Sequence, residues 1–81
     1  MMTLKVLAFA VVKNIFGNAS VQIELKEGST VSVLRTSLEE KFPGLRELSS
    51  FLIAVNNEFA SANYTIQESD EIAIIPPVSG G

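Results

Sequence analysis

The hydrophobic pattern of the chain predicts four β-strands and leaves room for a fifth. Residues 4–12 are rich in Val, Leu and Phe, which indicates a buried or half-buried strand. Residues 21–25 alternate apolar and polar side chains with the two-residue period of a strand that has one solvated face. Residues 51–55 and 71–75 are further apolar segments, each followed by turn or proline residues, and residues 58–64 could hold a short edge strand.

One segment between the second and third predicted strands has a helical period instead. Apolar residues recur there every three to four positions, at Val31, Leu34, Leu38 and Phe42. Thr30 is suited to cap the start of this helix, and Pro43-Gly44 to end it. Residues 45–50 are ambiguous and fit a second short helical turn, whereas residues 14–18 are typical of a turn, with room for one helical turn before it.

The order strand, strand, helix, strand, short strand, strand predicts an α+β fold. A β-hairpin followed by a helix that crosses the sheet suggests the β-grasp, or ubiquitin-like, architecture, with a mixed sheet of four to five strands and one main helix packed on one face. The first and last strands then lie side by side, in parallel, in the middle of the sheet. We assign residues 1–76 to this domain and residues 77–81 to an extended C-terminal tail.

The composition excludes several kinds of chemistry. The 81 residues suffice for one small domain, and they include no cysteine and no histidine, so a catalytic thiol, a disulfide framework and a typical zinc site are ruled out. Six basic and nine acidic residues give a net charge of −3, which disfavours nucleic-acid binding. The apolar run 6–12 is too short to span a membrane and no cleavage site follows it, so we expect a cytoplasmic protein.

The end of the chain is its most informative segment. After Pro76 and Pro77, which favour an extended backbone, four residues can span roughly 13 Å. Gly80 and Gly81 have no side chains and can enter a channel that is too narrow for other residues. This geometry suits a C-terminal carboxylate that is presented to another protein, although a terminal Gly-Gly is also compatible with a simple frayed end.

The ending resembles that of a known family. The segment Pro-Pro-Val-Ser-Gly-Gly at 76–81 is similar to the Pro-Pro-Val-(Ser/Thr)-Gly-Gly ending of the MoaD family, the small subunit of molybdopterin synthase. Asp-Glu-Ile-Ala at 70–73, Ala-Val-Asn at 54–56 and Lys-Val-Leu at 5–7 also resemble family segments, and the total length agrees.

The resemblance implies that this chain is a sulfur carrier rather than a catalyst in its own right. An E1-like activating enzyme would adenylate the carboxylate of Gly81 with ATP, and a persulfide sulfur would displace AMP to leave a thiocarboxylate. The tail residues Pro77, Val78, Ser79 and Gly80 would thread into the active site of the large subunit, which would supply the catalytic side chains. The thiocarboxylate would donate sulfur to cyclic pyranopterin monophosphate within a heteromer, by resemblance a heterotetramer. The resemblance also implies that this chain itself needs no metal and no bound cofactor.

A docking face follows from the alternation of side chains along the strands. Lys5 and Glu71 should be solvated, so Leu7 and Phe9 on the first strand and Ile75 on the last should share the outer face of the sheet. Such an apolar patch is typical of a partner site. Phe59, which the family places at the partner surface, is a fourth candidate. At the position of Ile75 the family often has an aromatic residue instead. The alternative to a docking role for Phe9 and Phe59 is that both are core residues.

Two other functions remain open from the residues alone. The chain could carry sulfur in another pathway, such as a thiamine-type one, although that resemblance rests mainly on the final Gly-Gly. It could also be a β-grasp interaction module whose tail is inert. Deletion of Gly81 separates this last alternative from the carrier functions.

Overall fold

The structure is a computed structural model that describes residues 1–48 and 51–76. The predicted tail, residues 77–81, therefore lies outside the described residues. Five strands, two α-helices and a 3₁₀ helix follow one another in the described part of the chain. In order, they are β1 (Met2–Ala8), α1 (Val11–Phe16), β2 (Ser20–Leu25), α2 (Val31–Lys41), the 3₁₀ helix (Pro43–Glu47), β3 (Leu52–Val55), β4 (Glu58–Phe59) and β5 (Ile72–Ile75).

The five strands form one mixed sheet in the order β2-β1-β5-β3-β4. β1 and β5, the first and last strands of the chain, pair in parallel near the middle of the sheet, and the other pairs are antiparallel. Helix α2 connects the hairpin β1–β2 to the other half of the sheet. The α+β class, the β-grasp architecture and the central parallel pair are thus confirmed.

A single hydrophobic core lies between α2 and one face of the sheet. Val31, Leu34 and Leu38 of α2 are buried, as their helical spacing predicts, whereas Phe42 is only half-buried. They pack with the inward-facing residues of the sheet, which are Met2, Leu4, Val6, Ala8, Ile23, Leu25, Ile53, Val55, Ile72 and Ile74. Burying each large aliphatic side chain contributes about 1.5–3 kcal/mol to stability.

The N-terminal strand is shorter than its composition indicates. The prediction of a strand through residue 12 is wrong, because β1 ends at Ala8 and α1 begins at Val11. Val12 and Phe16 are four residues apart, so one turn of helix places both on the core side, where both are buried. The i, i+4 spacing of these two residues was the signal for the helix. Gly17, with φ of 80°, ends it in the left-handed region.

The start of α2 is capped by its own sequence and by a distant loop. The side chain of Thr30 accepts a hydrogen bond from the backbone N–H of Val33 at 3.4 Å, which confirms the predicted cap. The N–H groups of Val31 and Ser32 donate to backbone carbonyls of the segment 62–64, each at 3.0 Å. The first free N–H groups of the helix are therefore occupied within the fold.

Candidate functional site

The face of the sheet opposite α2 carries the predicted docking residues. On β1, Leu4, Val6 and Ala8 are buried while Lys5 is exposed and Leu7 half-buried. On β5, Ile72 and Ile74 are buried while Ala73 and Ile75 are half-buried. The predicted division of the first and last strands into an inner and an outer face is therefore correct.

Four residues on this open face line up across four strands. Phe59 on β4 pairs with Ala54 on β3, Ala54 pairs with Ala73 on β5, and Ala73 pairs with Leu7 on β1. The two alanines are small, so the centre of this row is lower than its ends. Ala54 is 8% exposed although it points away from the main core.

A shallow depression of about 330 Å³ forms over these alanines, and we call it the apolar hollow. Its lining residues are Leu7, Phe9, Ala54, Asn57, Phe59, Glu71, Ala73 and Ile75. The structure thus brings together all four residues that the sequence predicted for a partner surface, Leu7, Phe9, Phe59 and Ile75. Glu71 and Asn57 are the polar members of the lining.

Phe9 and Phe59 are the two aromatic walls of the hollow. Their side chains are 49% and 69% exposed, so the alternative that they are core residues is wrong. An exposed aromatic side chain beside a concave apolar surface contributes little to folding and is available to a partner.

Each aromatic wall lies beside a turn with unusual backbone geometry. Phe9 is followed by Ala10, whose φ of 51° and ψ of −128° correspond to the first central position of a type II′ turn, closed by the Val12 N–H on the Phe9 carbonyl at 3.0 Å. Phe59 follows Asn56 and Asn57, with φ of 54° and 70°, as in the type I′ turns of β-hairpins. Both walls are therefore presented by tight turns.

A polar cluster centred on Asp70 lies next to the hollow. The predicted turn at residues 67–70 is present, with the Asp70 N–H on the Gln67 carbonyl at 3.0 Å. The Asp70 carboxylate also accepts hydrogen bonds from Tyr64, six residues earlier, and from Asn56, fourteen residues earlier, and neither contact was predicted. Although desolvation acts to raise the pKa of Asp70, hydrogen bonds from the Gln67 N–H, Asn56 and Tyr64 hold this pKa below its ordinary value.

The hydrogen bond between Tyr64 and Asp70, which lowers the pKa of Asp70, has the opposite effect on the pKa of Tyr64. The pKa of Tyr64 is raised, first by its hydrogen bond to Asp70 and then by desolvation and by the negative charge of that carboxylate. Tyr64 therefore keeps its hydroxyl proton, and Asp70 its negative charge, at neutral pH. The cluster is a set of donors around one ionised acceptor.

The hollow adjoins the start of the predicted tail. Ile75, which lines the hollow, ends β5, and Pro76 is the next residue. The tail positions Pro77, Val78, Ser79, Gly80 and Gly81 lie outside the described residues, and their predicted roles stay predictions.

Other depressions lie on the surface of the described residues, and one of about 280 Å³ also includes Phe59 and adjoins Asn56 and Tyr64. A larger depression of about 510 Å³ lies between the β2 edge and α2, but it contains none of the predicted site residues. Among the residues that the structure describes, no group of three or more acidic side chains is arranged to hold a metal ion. No helix within residues 1–48 or 51–76 is long and apolar enough to cross a membrane.

Comparison with known proteins gives consistent similarities. A family model described as the ThiS family matches residues 6–81. The molybdopterin synthase sulfur carrier subunit of Dictyostelium discoideum is 42% identical over 82 aligned positions, which cover 95% of this chain and 94% of the relative.

Two solved structures share the fold. One is the complex of subunits 1 and 2 of molybdopterin-converting factor from Helicobacter pylori, where the matched chain is 30% identical with a TM-score of 0.71 and coverage of 99% and 100%. The other is the small archaeal modifier protein 1 of Methanosarcina acetivorans, 27% identical with a TM-score of 0.80 and coverage of 100% and 98%.

Proposed function

Because this chain belongs to the ThiS family, we propose that it is the sulfur carrier subunit of a molybdopterin synthase and that the C-terminal carboxylate of Gly81 carries the sulfur. The observation that carries the proposal is the position of the apolar hollow. Ile75 lines it and the tail begins at the following residue, so a partner that covers the hollow is also next to the tail. The relative named as a molybdopterin synthase sulfur carrier subunit, 42% identical over nearly the whole chain, supports this pathway.

The proposed chemistry begins with activation of a poor electrophile. A carboxylate oxygen of Gly81 attacks the α-phosphorus of ATP, and pyrophosphate leaves. The terminal sulfur of a persulfide then attacks the acyl carbon and displaces AMP, and a thiol reduces the resulting acyl disulfide to a thiocarboxylate. The ATP is bound by an E1-like activating enzyme, and this chain itself binds no cofactor.

The thiocarboxylate is a good nucleophile, and the partner's active site supplies the rest of the reaction. The tail inserts into the large catalytic subunit and delivers its sulfur to cyclic pyranopterin monophosphate. Glycines at positions 80 and 81 keep the end of the tail slim, while the hollow supplies the apolar contact that holds the two subunits together. The similar Helicobacter pylori chain, which was solved in complex with subunit 2 of its converting factor, supports a heteromer of this kind.

The proposal is tested on the intact protein by mass spectrometry. After incubation with ATP, an E1-like activating enzyme and a sulfur source, we expect a mass gain equal to the exchange of one oxygen for sulfur, located on Gly81. Deletion of Gly81, or addition of one residue after it, should abolish conversion of the pterin precursor without changing the melting temperature. Pterin conversion by either tail variant would contradict the mechanism.

A second candidate is transfer of the activated C-terminus to another protein. It is favoured by the similarity to the small archaeal modifier protein 1 of Methanosarcina acetivorans. Both candidates use an activated Gly81, but only this one ends in a covalent bond between two proteins. If the activated chain forms isopeptide-linked conjugates and leaves the pterin precursor unchanged, the modifier function replaces the synthase function.

A further inference from the structure

The carboxylate of Asp70 joins three segments of the chain. Its Oδ1 accepts a hydrogen bond from the Asn56 side-chain amide at 2.9 Å. Its Oδ2 accepts one from the Tyr64 hydroxyl at 2.9 Å and one from the Gln67 backbone N–H at 2.8 Å. The turn between β3 and β4, the loop that caps α2 and the turn before β5 therefore meet at one ionised group.

Asn56 transmits this contact to the end of the β3–β4 hairpin. While its side-chain N–H₂ donates to Asp70, its Oδ1 accepts from the Glu71 N–H at 2.9 Å, and its own backbone N–H donates to the Glu71 carbonyl at 2.8 Å. Both ends of the amide are thus used, and the amide cannot be turned over without facing two donors toward each other. Its left-handed backbone, with φ of 54°, is a conformation that asparagine tolerates better than most residues.

The hairpin needs this support because β4 is held weakly. β4 has only two residues, lies at the edge of the sheet and, among the strands of the described residues, pairs with β3 alone. Phe59 is 69% exposed, so burial of its own ring does little to fix its position. Its placement over Ala54 depends on the geometry of the Asn56-Asn57 turn.

We propose that Asp70 is a positioning residue for the docking surface. Through Asn56 it holds the β3–β4 turn so that Phe59 forms one wall of the apolar hollow. Because Phe59 is already ordered in the free protein, less conformational entropy is lost when the partner binds. This inference rests on the proposed function, because it takes the large subunit of molybdopterin synthase as the partner that covers the hollow.

The test compares two substitutions that each disturb a different branch of the cluster. In Asp70→Asn, the new amide oxygen can satisfy the two donors that met Oδ2, but the new N–H₂ then faces the N–H₂ of Asn56. Tyr64→Phe removes a hydrogen bond on the other branch, toward the loop that caps α2, and leaves the Asn56 branch intact. The ring of Tyr64 is kept, so its contacts are unchanged.

The first measurement is the affinity of each variant for the large subunit, by calorimetry at neutral pH and at a temperature where circular dichroism shows that every variant is folded. We expect Asp70→Asn to bind about tenfold more weakly, equivalent to ~1.4 kcal/mol. Tyr64→Phe should bind within about twofold of the wild type even if its melting temperature falls. Equal losses in the two variants, or wild-type affinity in Asp70→Asn, would overturn the proposal.

Exchange of the two side chains provides a rescue. In the double variant Asn56→Asp with Asp70→Asn, the donor and the acceptor trade places, the net charge is kept, and a carboxylate oxygen remains for the Glu71 N–H. We expect this pair to recover most of the affinity that Asp70→Asn loses. If the pair binds no better than the single variant, Asp70 does not act through Asn56.

A second readout does not depend on the partner. In the free protein, the ring resonances of Phe59 and its nuclear Overhauser contacts to the Ala54 methyl group should change in Asp70→Asn and stay as in the wild type in Tyr64→Phe. Failure of the wild type to bind the large subunit would contradict the proposed function, whereas an unchanged Phe59 in Asp70→Asn would contradict the positioning role.

Discussion

The two faces of the sheet are built from the same strands but contribute different properties. Ile74 and Ile75 are neighbours on β5, yet Ile74 is fully buried under α2 and Ile75 lies half-buried in the apolar hollow. The covered face supplies the stability of the domain, and the open face keeps apolar surface available for a partner. An apolar residue in this small domain therefore cannot be assigned to the core from its type alone.

Substitution of the two adjacent isoleucines should give the largest difference in folding stability between the two faces of the sheet. Ile74→Ala should lower the free energy of unfolding by about 3 kcal/mol, within the range for a truncated and fully buried aliphatic side chain. Ile75→Ala, the matched control, should cost less, about 1–2 kcal/mol, because its half-buried side chain loses less apolar burial and leaves a smaller cavity. Denaturant titration measures both, and similar losses would mean that the open face is also part of the stabilising core.

A smaller and more specific effect is expected at the aromatic wall. Phe9→Glu should weaken binding of the large subunit by about tenfold or more, since it puts a charge into a contact that excludes water, while the melting temperature changes little. Val33→Glu is the matched control, because Val33 is 48% exposed, close to the 49% of Phe9, but lies on α2. Calorimetric titration in which both variants bind equally well would show that the hollow is not the docking surface.

The smallest expected effect is on folding stability, at the Ala10 turn between β1 and α1. Ala10→Gly should raise the free energy of unfolding by about 0.5–1 kcal/mol, because glycine adopts the positive φ of Ala10 without steric cost. Ala62→Gly is the control, since Ala62 has no positive φ and gains nothing from glycine. A lower melting temperature for Ala10→Gly would show that the turn is not strained by the alanine side chain.

The elements that could be predicted have short-range patterns. The helical spacing of Val31, Leu34 and Leu38 and the cap at Thr30 depend on contacts within one or two turns, so the sequence shows them directly. The sequence left room for a helical turn here, but the start of α1 was assigned to the strand because Val11 and Val12 continue an apolar run that also suits a strand. Only the bend at Ala10, which tertiary packing stabilises, separates the two elements.

The alternation of side chains along β1 and β5 was enough to place Leu7 and Ile75 on the same face of the sheet, once the two strands were taken as neighbours. The sequence left open the alternative that Phe9 and Phe59 are core residues, because a shift of one residue along a strand exchanges its two faces. Nor could it show the Asp70 cluster. Its members are up to 15 residues apart.

Residue type and short-range spacing were therefore enough to predict the order of the main elements, the likeness to a sulfur-carrier family and the chemistry available at the C-terminus. Only the folded structure shows how two alanines and two phenylalanines make a hollow on the open face, and which groups meet at Asp70. The physical reason is that burial and long-range hydrogen bonds are properties of pairs of segments, and these pairs exist only after the strands have taken their places in the sheet.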